Sequence, residues 1–506
     1  MTGSLGNHGV HTLARWIPDR ARADGAAIAI DDRGVRVDYA ELDRRSSALA
    51  DRLLAAGYRP GDRIATLSGN SADQVVLFFA CARIGLVLVP LSWRLTPPEL
   101  AEQLADAEPG LLCVDEEFEV PARAALALLP GRLPTSTLAL ADLERGSADA
   151  HPVAVSDDDP LLMIYTSGTT RRPRGALLSH ANCFWTSLSL SRTLEIGRHD
   201  RVLSVLPQFH VGGWTIQPLL AWWTGASVVL ERTFDAQRVL RLISEKQITT
   251  MMGVPAHYLM LAQHPDFAAA DLSSLRYAVV GGAPMPEPLL RTWLARGVRL
   301  AQGYGLTEAA PNVLCLRPED ARDHAGSAGT PYPHVDVAVA DPVTGALLDG
   351  PAVGELLVAG PNVFRGYWRD EAATALALRG GWLHTGDLVE RGADGHFRIL
   401  DRLDDVYISG GENVSPAEVE RALFAHRAVA DVAVVGEPDP RWGEVGAAYV
   451  VMRAGCHTDA QELIEHCRAR LAGYKIPRRI EFVAELPRSS VGKILRRGLR
   501  DRQVQL

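Results

Sequence analysis

The sequence predicts an α/β protein, in which a large N-terminal domain with parallel-rich sheets is followed by a small C-terminal α+β domain. The length of 506 residues exceeds what one compact core accommodates, and 47% hydrophobic with 22% charged residues is typical of a folded globular protein. Short apolar runs alternate with helical patterns through most of the chain, as expected of successive strand and helix units in a parallel sheet.

The N-terminal elements follow from apolar runs and their period. A helix is predicted over 39–56, because Leu42, Leu49, Leu53 and Leu54 fall on one face. Apolar runs of strand length predict strands at 26–31, 63–68, 161–166, 201–206, 226–231 and 277–280. From about residue 335 the runs shorten and glycine and proline separate them, which predicts a β-rich subdomain over about 335–400.

The last hundred residues predict the small α+β domain. Ser415, Pro416 and Glu418 form an N-cap, a proline in the first turn and a capping-box glutamate, so a helix should run to about His426. Strands at 431–436, 445–452 and 478–483 and a helix at 459–472 are predicted after it. The boundary is placed between two strand-like runs, which gives domains of 1–403 and 404–506.

Composition excludes several classes of function. The net charge of −9 gives no electrostatic support to a nucleic-acid partner or an anionic membrane. No apolar segment has the length of a signal peptide or a membrane span, so we expect a cytoplasmic protein without membrane insertion. The six cysteines show neither CxxC nor Cys/His ligand spacing, which predicts reduced thiols and argues against a disulfide framework or a zinc site.

The first stretch that suggests chemistry reads YTSGTTRRPRG over 165–175, directly after a predicted buried strand. In a loop expected between a strand and a helix, backbone N–H groups and hydroxyls can converge on a phosphate. The Walker pattern G-x-x-x-x-G-K-[ST] is absent, and a solvated Ser/Thr turn would have a similar composition. Alone, the stretch leaves both interpretations open.

Six further motifs follow in order. They are PQFHVGG from 207, GGAPMP from 281, QGYGLTE from 302, GWLHTGD from 381, DR at 401–402 leading to SGGEN from 409, and GKILRR from 492. In this order and spacing, over nearly the whole chain, they resemble the adenylate-forming superfamily of acyl-CoA synthetases, nonribosomal adenylation domains and luciferases. The resemblance implies two steps: a carboxylate attacks the α-phosphate of ATP to give an acyl-adenylate and pyrophosphate, and the C-terminal domain then rotates so that a thiol displaces AMP.

The resemblance also implies residue roles. Lys493 and Thr307 would act at the α-phosphate, and Glu308 would hold Mg²⁺, a hard cation that prefers oxygen ligands. His210 would gate the acyl pocket, with a histidine packed beside Phe209 as the alternative. The residues expected to bind ATP or AMP are Thr166, Ser167, Gly168, Thr169, Thr170, Arg174, Gly281, Gly282, Ala283, Tyr304, Gly305, Asp387 and Arg402. Within that set Tyr304 would stack on adenine and Asp387 would accept from the ribose hydroxyls.

The acid and the thiol are predicted from other positions. His210 follows Phe209 where amino-acid adenylation domains carry an aspartate for the α-ammonium group, so an amino acid substrate is not expected. The acyl pocket is expected to include His210, Trp214, Gly282 and Gly305, which suggests a bulky apolar acid, although the tryptophans could equally be core. CoA is the expected thiol, because Gly410 and Gly411 allow close passage of its pantetheine arm. The resemblance implies Trp442, Tyr474 and Arg94 as further CoA contacts, with ordinary surface packing as the alternative, and Asp404 as the domain hinge.

Lysine is rare in this chain, as expected when codon usage favours arginine, so a retained lysine suggests a specific role. The 52 lysine and arginine residues include only three lysines, at 246, 475 and 493. The retention of Lys493 favours a role in catalysis, since a cation near the reacting phosphate stabilises charge in the transition state. The alternative is a solvated basic helix, suggested by the neighbouring arginines at 496, 497 and 500.

The phosphate loop departs from the family pattern Thr-Gly-x-Pro-Lys-Gly, because residues 170–175 read TRRPRG. Arg174 keeps the charge of the lysine that it replaces, although the two cations differ in shape. Arg171 replaces a glycine, and its side chain would intrude on the β- and γ-phosphates if the backbone must approach them closely.

Three functions follow from these motifs. The main expectation is an acid–thiol ligase that converts ATP, a bulky apolar acid and CoA into acyl-CoA, AMP and pyrophosphate. The alternative is a variant that only transfers the acyl group of a preformed acyl-AMP to CoA and depends on a partner ligase for that acyl-AMP. Arg171 would impair only the first step, because pyrophosphate is present only in that step. A remote alternative is a non-catalytic adenylate-binding protein, against which Asp387 and Lys493 argue.

Overall fold

The computed structural model describes residues 8–138, 153–166, 173–403, 405–409, 412–439, 442–471, 473–488 and 494–501. These residues have the predicted α/β architecture. They divide into two compact units, one formed by Met1–Val337 with Val358–His384 and the other by Ala338–Leu357 with Thr385–Leu506. The division into domains of 1–403 and 404–506 stays a prediction.

The α-helices are numbered along the chain. They are α1 (Trp16–Asp24), α2 (Tyr39–Ala55), α3 (Ala72–Ile84), α4 (Pro97–Ala107), α5 (Glu119–Leu126), α6 (His180–Ser191), α7 (Gln217–Thr224), α8 (Ala236–Glu245), α9 (Pro255–Gln263), α10 (Glu287–Ala295), α11 (Glu371–Ala377), α12 (Pro416–Phe424), α13 (Ala460–Arg468) and α14 (Arg496–Asp501). The predicted helices at 39–56 and 415–426 are confirmed as α2 and α12. The helix predicted over 459–472 ends at Arg468.

The strands are numbered in the same way. They are β1 (Ile28–Asp32), β2 (Val35–Asp38), β3 (Arg63–Leu67), β4 (Val87–Leu91), β5 (Leu111–Val114), β6 (Thr135–Thr137), β7 (Pro160–Thr166), β8 (Arg174–Ser179), β9 (Arg201–Ser204), β10 (Ser227–Leu230), β11 (Thr250–Gly253), β12 (Tyr277–Val280), β13 (Leu300–Gly305), β14 (Asn312–Leu316), β15 (Thr330–Pro331), β16 (Asp336–Ala340), β17 (Leu347–Leu348), β18 (Ala352–Ala359), β19 (Gly366–Tyr367), β20 (Leu383–Arg391), β21 (Phe397–Arg402), β22 (Tyr407–Ser409), β23 (Glu412–Val414), β24 (Val429–Asp439), β25 (Gly443–Met452) and β26 (Arg479–Phe482). Each strand predicted from an apolar run is confirmed, with shifted ends.

The first unit holds two large sheets. The first sheet has the order β15-β14-β13-β12-β11-β9-β10-β1-β2, and its strands from β13 to β1 are parallel where they pair. The second sheet has the order β19-β8-β7-β4-β3-β5-β6, with β8 and β19 antiparallel to their neighbours. Buried side chains of α8, α9 and α10 pack on the first sheet and form an apolar core cluster with it.

The apolar run of 75–89 shows how the sequence sets this architecture. It forms α3 and β4, and Gly85 between them takes φ of 72°, the left-handed conformation that ends the helix. Helix α3 is buried on nearly every face, so its continuous hydrophobicity reflects a central position. Across the described residues, no helix combines the length and apolarity needed to cross a membrane.

The third and fourth sheets complete the architecture. The third sheet has the order β17-β16-β18-β20-β21, in agreement with the predicted β-rich segment, and the fourth has β23-β22-β25-β24 with β26 beside β25. The fourth sheet packs against α12 and α13 around a separate apolar core. All six cysteines are free thiols, as the sequence predicted.

Candidate active site

Several of the predicted nucleotide, acyl and catalytic residues follow strands of the first sheet at the same edge. Strands β9, β11, β12 and β13 are parallel neighbours, so the segments after their carboxyl ends meet, and this is where ligands bind in open α/β sheets. We call this the carboxyl edge. It brings together His210 after β9, Gly281, Gly282 and Ala283 after β12, and Tyr304, Gly305, Thr307 and Glu308 at and beyond the end of β13.

Hydrogen bonds hold both the side chain and the backbone of Glu308. Its carboxylate oxygen Oε1 accepts a hydrogen bond of 2.8 Å from the Tyr367 hydroxyl, and its carbonyl accepts one of 2.8 Å from the Phe364 backbone N–H. The Asn362 side chain donates to the carbonyl of Ala309 at 2.9 Å. The segment 362–367 therefore fixes both the backbone and the carboxylate of the predicted metal ligand.

Tyr367 and Asp370 are residues that the sequence did not single out. Arg174 Nε lies 3.2 Å from Asp370 Oδ2, and its guanidinium carbon lies 5.4 Å from the centroid of the Tyr367 ring. Tyr367 thus connects the predicted phosphate-binding cation Arg174 to the predicted metal ligand Glu308. Tyr367 and Glu308 are 59 residues apart, and no spacing rule links such positions.

The phosphate loop has a different setting from the one expected. Thr166 pairs with Arg174 across the antiparallel strands β7 and β8, so the loop connects two strands and not a strand and a helix. The prediction of a loop between a strand and a helix was wrong because residues 174–179 form β8, and the next helix, α6, begins only at His180. Thr166 Oγ1 contacts the Arg174 carbonyl at 3.5 Å. Ser167, Gly168, Thr169, Thr170 and Arg171 lie outside the described residues.

Glycines shape the backbone at the carboxyl edge. A Cβ atom on Gly305 would lie 1.7 Å from the Pro311 carbonyl oxygen, so no side chain fits there. Gly282 has φ of +79°, which few other residues adopt without strain. Ala283 beside it is exposed, and Tyr304 is partly exposed with its backbone paired to Leu314.

His210 and Trp214 have different surroundings. The His210 ring is partly exposed and lies 4.6 Å from that of Phe209, beside the carboxyl edge. Trp214 is fully buried, stacks on Phe78 at 4.8 Å and donates its indole N–H to the Gln208 carbonyl at 2.5 Å. Trp214 therefore packs as a core residue, and its surroundings give no support to the predicted place in the acyl pocket.

In the second unit, Asp387 and Arg402 are in direct contact. They lie opposite each other on β20 and β21, and Arg402 Nη1 donates to Asp387 Oδ1 at 3.0 Å and to the Thr385 carbonyl at 3.2 Å. Asp387 is buried, while Arg402 is partly exposed.

The predicted CoA contacts differ in exposure. Trp442 and Tyr474 are 36% and 37% exposed, and the cations of Arg478 and Lys475 lie 5.9 and 5.7 Å from their respective ring centroids. Arg94 belongs to the first unit, where its guanidinium lies 4.9 Å from the centroid of the Trp93 ring. Burial lowers the pKa of Arg94. Asp404, Gly410, Gly411 and Lys493 lie outside the described residues.

A buried ion network in the second unit was also missed by sequence reasoning. Arg496 Nη2 donates to both carboxylate oxygens of Glu420, at 2.8 and 2.7 Å, and Nη1 contacts Asp405 Oδ2 at 3.4 Å. Burial raises the pKa of Glu420, and the Arg496 charge opposes this effect. Arg496 begins α14, so the arginines that suggested a solvated helix include one that is a structural ion-pair partner.

The fold and the ordered motifs at the carboxyl edge define an adenylate-forming enzyme. Comparison with known proteins agrees: residues 17–368 match the AMP-binding enzyme family and residues 418–493 match the AMP-binding enzyme C-terminal domain. The chain belongs to this family, as an acyl-CoA or aryl-CoA ligase that works through an acyl-adenylate.

Two curated relatives and one structurally known protein illustrate the similarity. Feruloyl-CoA synthase from Amycolatopsis sp is 43% identical over 492 residues, covering 97% of this chain and 99% of that protein. Indoleacetate–CoA ligase from Aromatoleum aromaticum is 39% identical over 491 residues, covering 95% and 96%. The structure of o-succinylbenzoate CoA synthetase from Bacillus subtilis with the acyl-adenylate OSB-AMP has a TM-score of 0.88 at 33% identity, covering 96% and 98%. The same enzyme with ATP and a magnesium ion has a TM-score of 0.88 at 32% identity, covering 96% and 99%.

Proposed function

We propose that this protein converts a bulky, apolar aromatic carboxylic acid into its CoA thioester. In the first step a carboxylate oxygen bonds to the α-phosphorus of ATP and the bond to the bridging oxygen breaks, releasing pyrophosphate. In the second step the CoA sulfur bonds to the acyl carbon, the thiol proton is lost to solvent and AMP leaves. The names of the two curated relatives, both of aryl acids, support the aromatic class.

The observation that carries this proposal is the position of Glu308. Its carboxylate is oriented by the Tyr367 hydroxyl at the carboxyl edge, one residue after the hydroxyl of Thr307. Carboxylate oxygen is a ligand that Mg²⁺ prefers, so the residues present fit this ion. When bound, Mg²⁺ would neutralise charge on the phosphates, while Thr307 would donate to the α-phosphate and Lys493 would stabilise the transferring group.

A second candidate function is thioesterification alone, with acyl-AMP supplied by a partner ligase. Two features favour it. Arg171 replaces the glycine of the phosphate loop, and Arg174, the cation at the end of this loop, is paired with Asp370. Arg171 would weaken the binding of the β- and γ-phosphates, which only the first step requires, and Asp370 would compete weakly with these phosphates for Arg174.

Two assays separate the candidates. In the first, the protein receives free aryl acid, ATP, Mg²⁺ and CoA; in the second, it receives synthetic acyl-AMP and CoA. Acyl-CoA in both assays, with acid-dependent exchange of pyrophosphate into ATP, supports the complete ligase. Acyl-CoA from acyl-AMP alone supports the second candidate. If neither assay yields acyl-CoA, both candidates are overturned.

Two variants test the assignment of the steps. Arg171→Gly should raise the rate with free acid if the loop limits adenylation, and leave the rate with acyl-AMP unchanged. Lys493→Ala should lower the rate with free acid far more than the rate with acyl-AMP. Arg172→Gly, at the neighbouring arginine, is the matched control for Arg171→Gly, and an equal gain in both variants would argue against a specific role of position 171.

A further inference from the structure

Two charged groups that the first step would need come from different sheets. Glu308 follows β13 of the first sheet, and Arg174 begins β8 of the second. The register of neither sheet sets the separation between them. Residues 361–368, which we call the strap, contact both segments, because the strap pairs with β8 and the Phe364 N–H donates to the Glu308 carbonyl at 2.8 Å. The separation of the two groups therefore depends on how the strap is held.

Asn362 holds the strap to the segment that follows Glu308. Its side chain is buried and donates to the carbonyls of Ala309 and Asn312, at 2.9 and 3.0 Å. These carbonyls lie on either side of Ala310, whose φ of +60° is a left-handed conformation that a residue with a Cβ atom adopts at a cost. Such a conformation persists where surrounding contacts enforce it, and Asn362 supplies two of these contacts.

The other end of the Asn362 amide indicates that its donors are what the site needs. Its Oδ1 is buried and has no hydrogen-bond partner among the residues that the structure describes. A buried acceptor in this state costs free energy. Two carbonyls require two donor hydrogens, and one primary amide supplies both, so the two bonds from the nitrogen offset the cost at the oxygen.

A second asparagine holds the strap to α6. Asn182 lies in the first turn of this helix, which follows β8 directly, and it donates to the carbonyls of Pro361 and Val363 at 2.9 and 2.8 Å. Its Oδ1 accepts the Ser179 backbone N–H at 2.9 Å and completes a capping box. The carbonyls on both sides of Asn362 are therefore tied to the helix that continues from the strand of Arg174.

We propose that Asn362 and Asn182 are positioning residues for adenylation, because the strap that they hold keeps Glu308 and Arg174 in the arrangement that a magnesium-bound triphosphate requires. This inference rests on the proposed function, since it takes Glu308 as the metal ligand and Arg174 as a phosphate-binding cation. AMP and acyl-AMP have neither a β- nor a γ-phosphate, so their binding depends far less on the strap.

The test compares two nucleotides by titration calorimetry. One is α,β-methylene-ATP with Mg²⁺, in which a methylene bridge replaces the linkage that adenylation breaks, and the other is AMP. Asn362→Ala should weaken binding of the first about tenfold and binding of AMP less than about threefold, as expected for the loss of neutral hydrogen bonds on one side of the site. Asn182→Asp should act in the same direction, because aspartate keeps the acceptor that caps α6 and loses both donors to the strap.

The nucleotide-free protein provides a second readout. The Phe364 amide should exchange with deuterium faster in both variants than in the wild type, because its bond to the Glu308 carbonyl depends on the strap. Acyl-CoA formation from supplied acyl-AMP should change less than about threefold, since that step handles no pyrophosphate. A similar loss of this activity would assign the asparagines to the fold in general and overturn the proposal.

Asn70→Ala is the matched control. Asn70 is 2% exposed, against 1% for Asn362, and also donates to two carbonyls, those of Leu206 and Glu231, at 2.9 and 3.0 Å. This variant should lose stability and keep the wild-type ratio of the two nucleotide affinities. The same change of ratio in Asn70→Ala, or an unchanged ratio in both Asn362→Ala and Asn182→Asp, would overturn the proposal.

Two further outcomes separate this inference from the proposed function. A wild-type protein that forms acyl-CoA from acyl-AMP but does not bind the triphosphate analogue would overturn the inference and leave thioesterification intact. The absence of thioester from every acid and acyl-AMP supplied would overturn the proposed function itself.

Discussion

Replacement of Tyr367 by phenylalanine tests the assignment of Glu308 as the metal ligand. The variant removes one hydroxyl, which donates to Glu308 Oε1 at 2.8 Å, and keeps the ring that packs edge-on against Phe364 with centroids 4.9 Å apart. A hydrogen bond to a charged group contributes about 1.5–3 kcal/mol, which corresponds to a loss of roughly 10- to 100-fold. The Phe364 N–H bond to the Glu308 carbonyl remains, so the backbone of the loop should stay in place.

The assay is acid-dependent exchange of pyrophosphate into ATP, measured over a range of Mg²⁺ concentrations. Tyr367→Phe should lower the exchange rate by this factor at limiting Mg²⁺ and recover part of it at high Mg²⁺. Thioester formation from supplied acyl-AMP should change less than threefold, because no pyrophosphate is handled in that step. Tyr58→Phe is the matched control, since that hydroxyl makes only a 3.4 Å contact with the Gly110 carbonyl.

Two results would refute the reasoning. Equal losses in both half-reactions would mean that Tyr367 supports the fold or the AMP site in general. An unchanged Mg²⁺ dependence of exchange would mean that the oriented carboxylate does not serve the metal.

Three other predictions concern stability, measured by urea unfolding. Trp214→Ala should lower the unfolding free energy by about 3–5 kcal/mol, as expected for a fully buried tryptophan, without changing the preference among acids. A changed preference among acids at unchanged stability would instead support a place for Trp214 in the acyl pocket. Burial lowers the pKa of His180 to about 3 from an ordinary 6.5. The unfolding free energy that depends on unprotonated His180 is therefore fully present above pH 6.5, and it falls by about 1.4 kcal/mol per pH unit down to pH 3. His180→Gln should remove this slope and the surface variant His199→Gln should keep it. Glu420→Leu should cost roughly 3–5 kcal/mol because it leaves Arg496 buried without its main partner, and adding Arg496→Met should recover part of the loss; strictly additive losses would contradict this pairing.

The sequence predicted the fold well because the strands of the first sheet are short, apolar and separated by helices. Parallel strands place their carboxyl ends at one edge, and this arrangement brings the motifs after β12 and β13 together. Asp387 and Arg402 were both expected to bind the nucleotide, and an antiparallel pair of strands brings them into contact.

The residues that orient the site could not be predicted in this way. Tyr367 contacts Glu308 and Asp370 contacts Arg174, but the segment that holds Tyr367 and Asp370 belongs to none of the motifs. Trp214 illustrates the opposite problem, because an aromatic side chain near a binding motif has the same sequence signal whether it faces a pocket or the core. Its stacking on Phe78 depends on how α3 packs, which no local pattern specifies.

The setting of Arg174 bears on which of the two functions the phosphate loop permits. Asp370 Oδ2 binds Arg174, while Asp370 Oδ1 independently accepts the Ala373 N–H at 2.9 Å and caps α11. Arg174 can therefore leave Asp370 without uncapping this helix.

The ion pair between Arg174 and Asp370 is partly exposed, with side chains 24% and 37% accessible, so its contribution to stability is about 0–1 kcal/mol. Charge-assisted bonds from arginine to phosphate are stronger than such a pair, so Arg174 can transfer from the carboxylate to ATP. It follows that the pairing of Arg174 does not by itself prevent adenylation, and that the choice between complete ligase and thioesterification depends on Arg171.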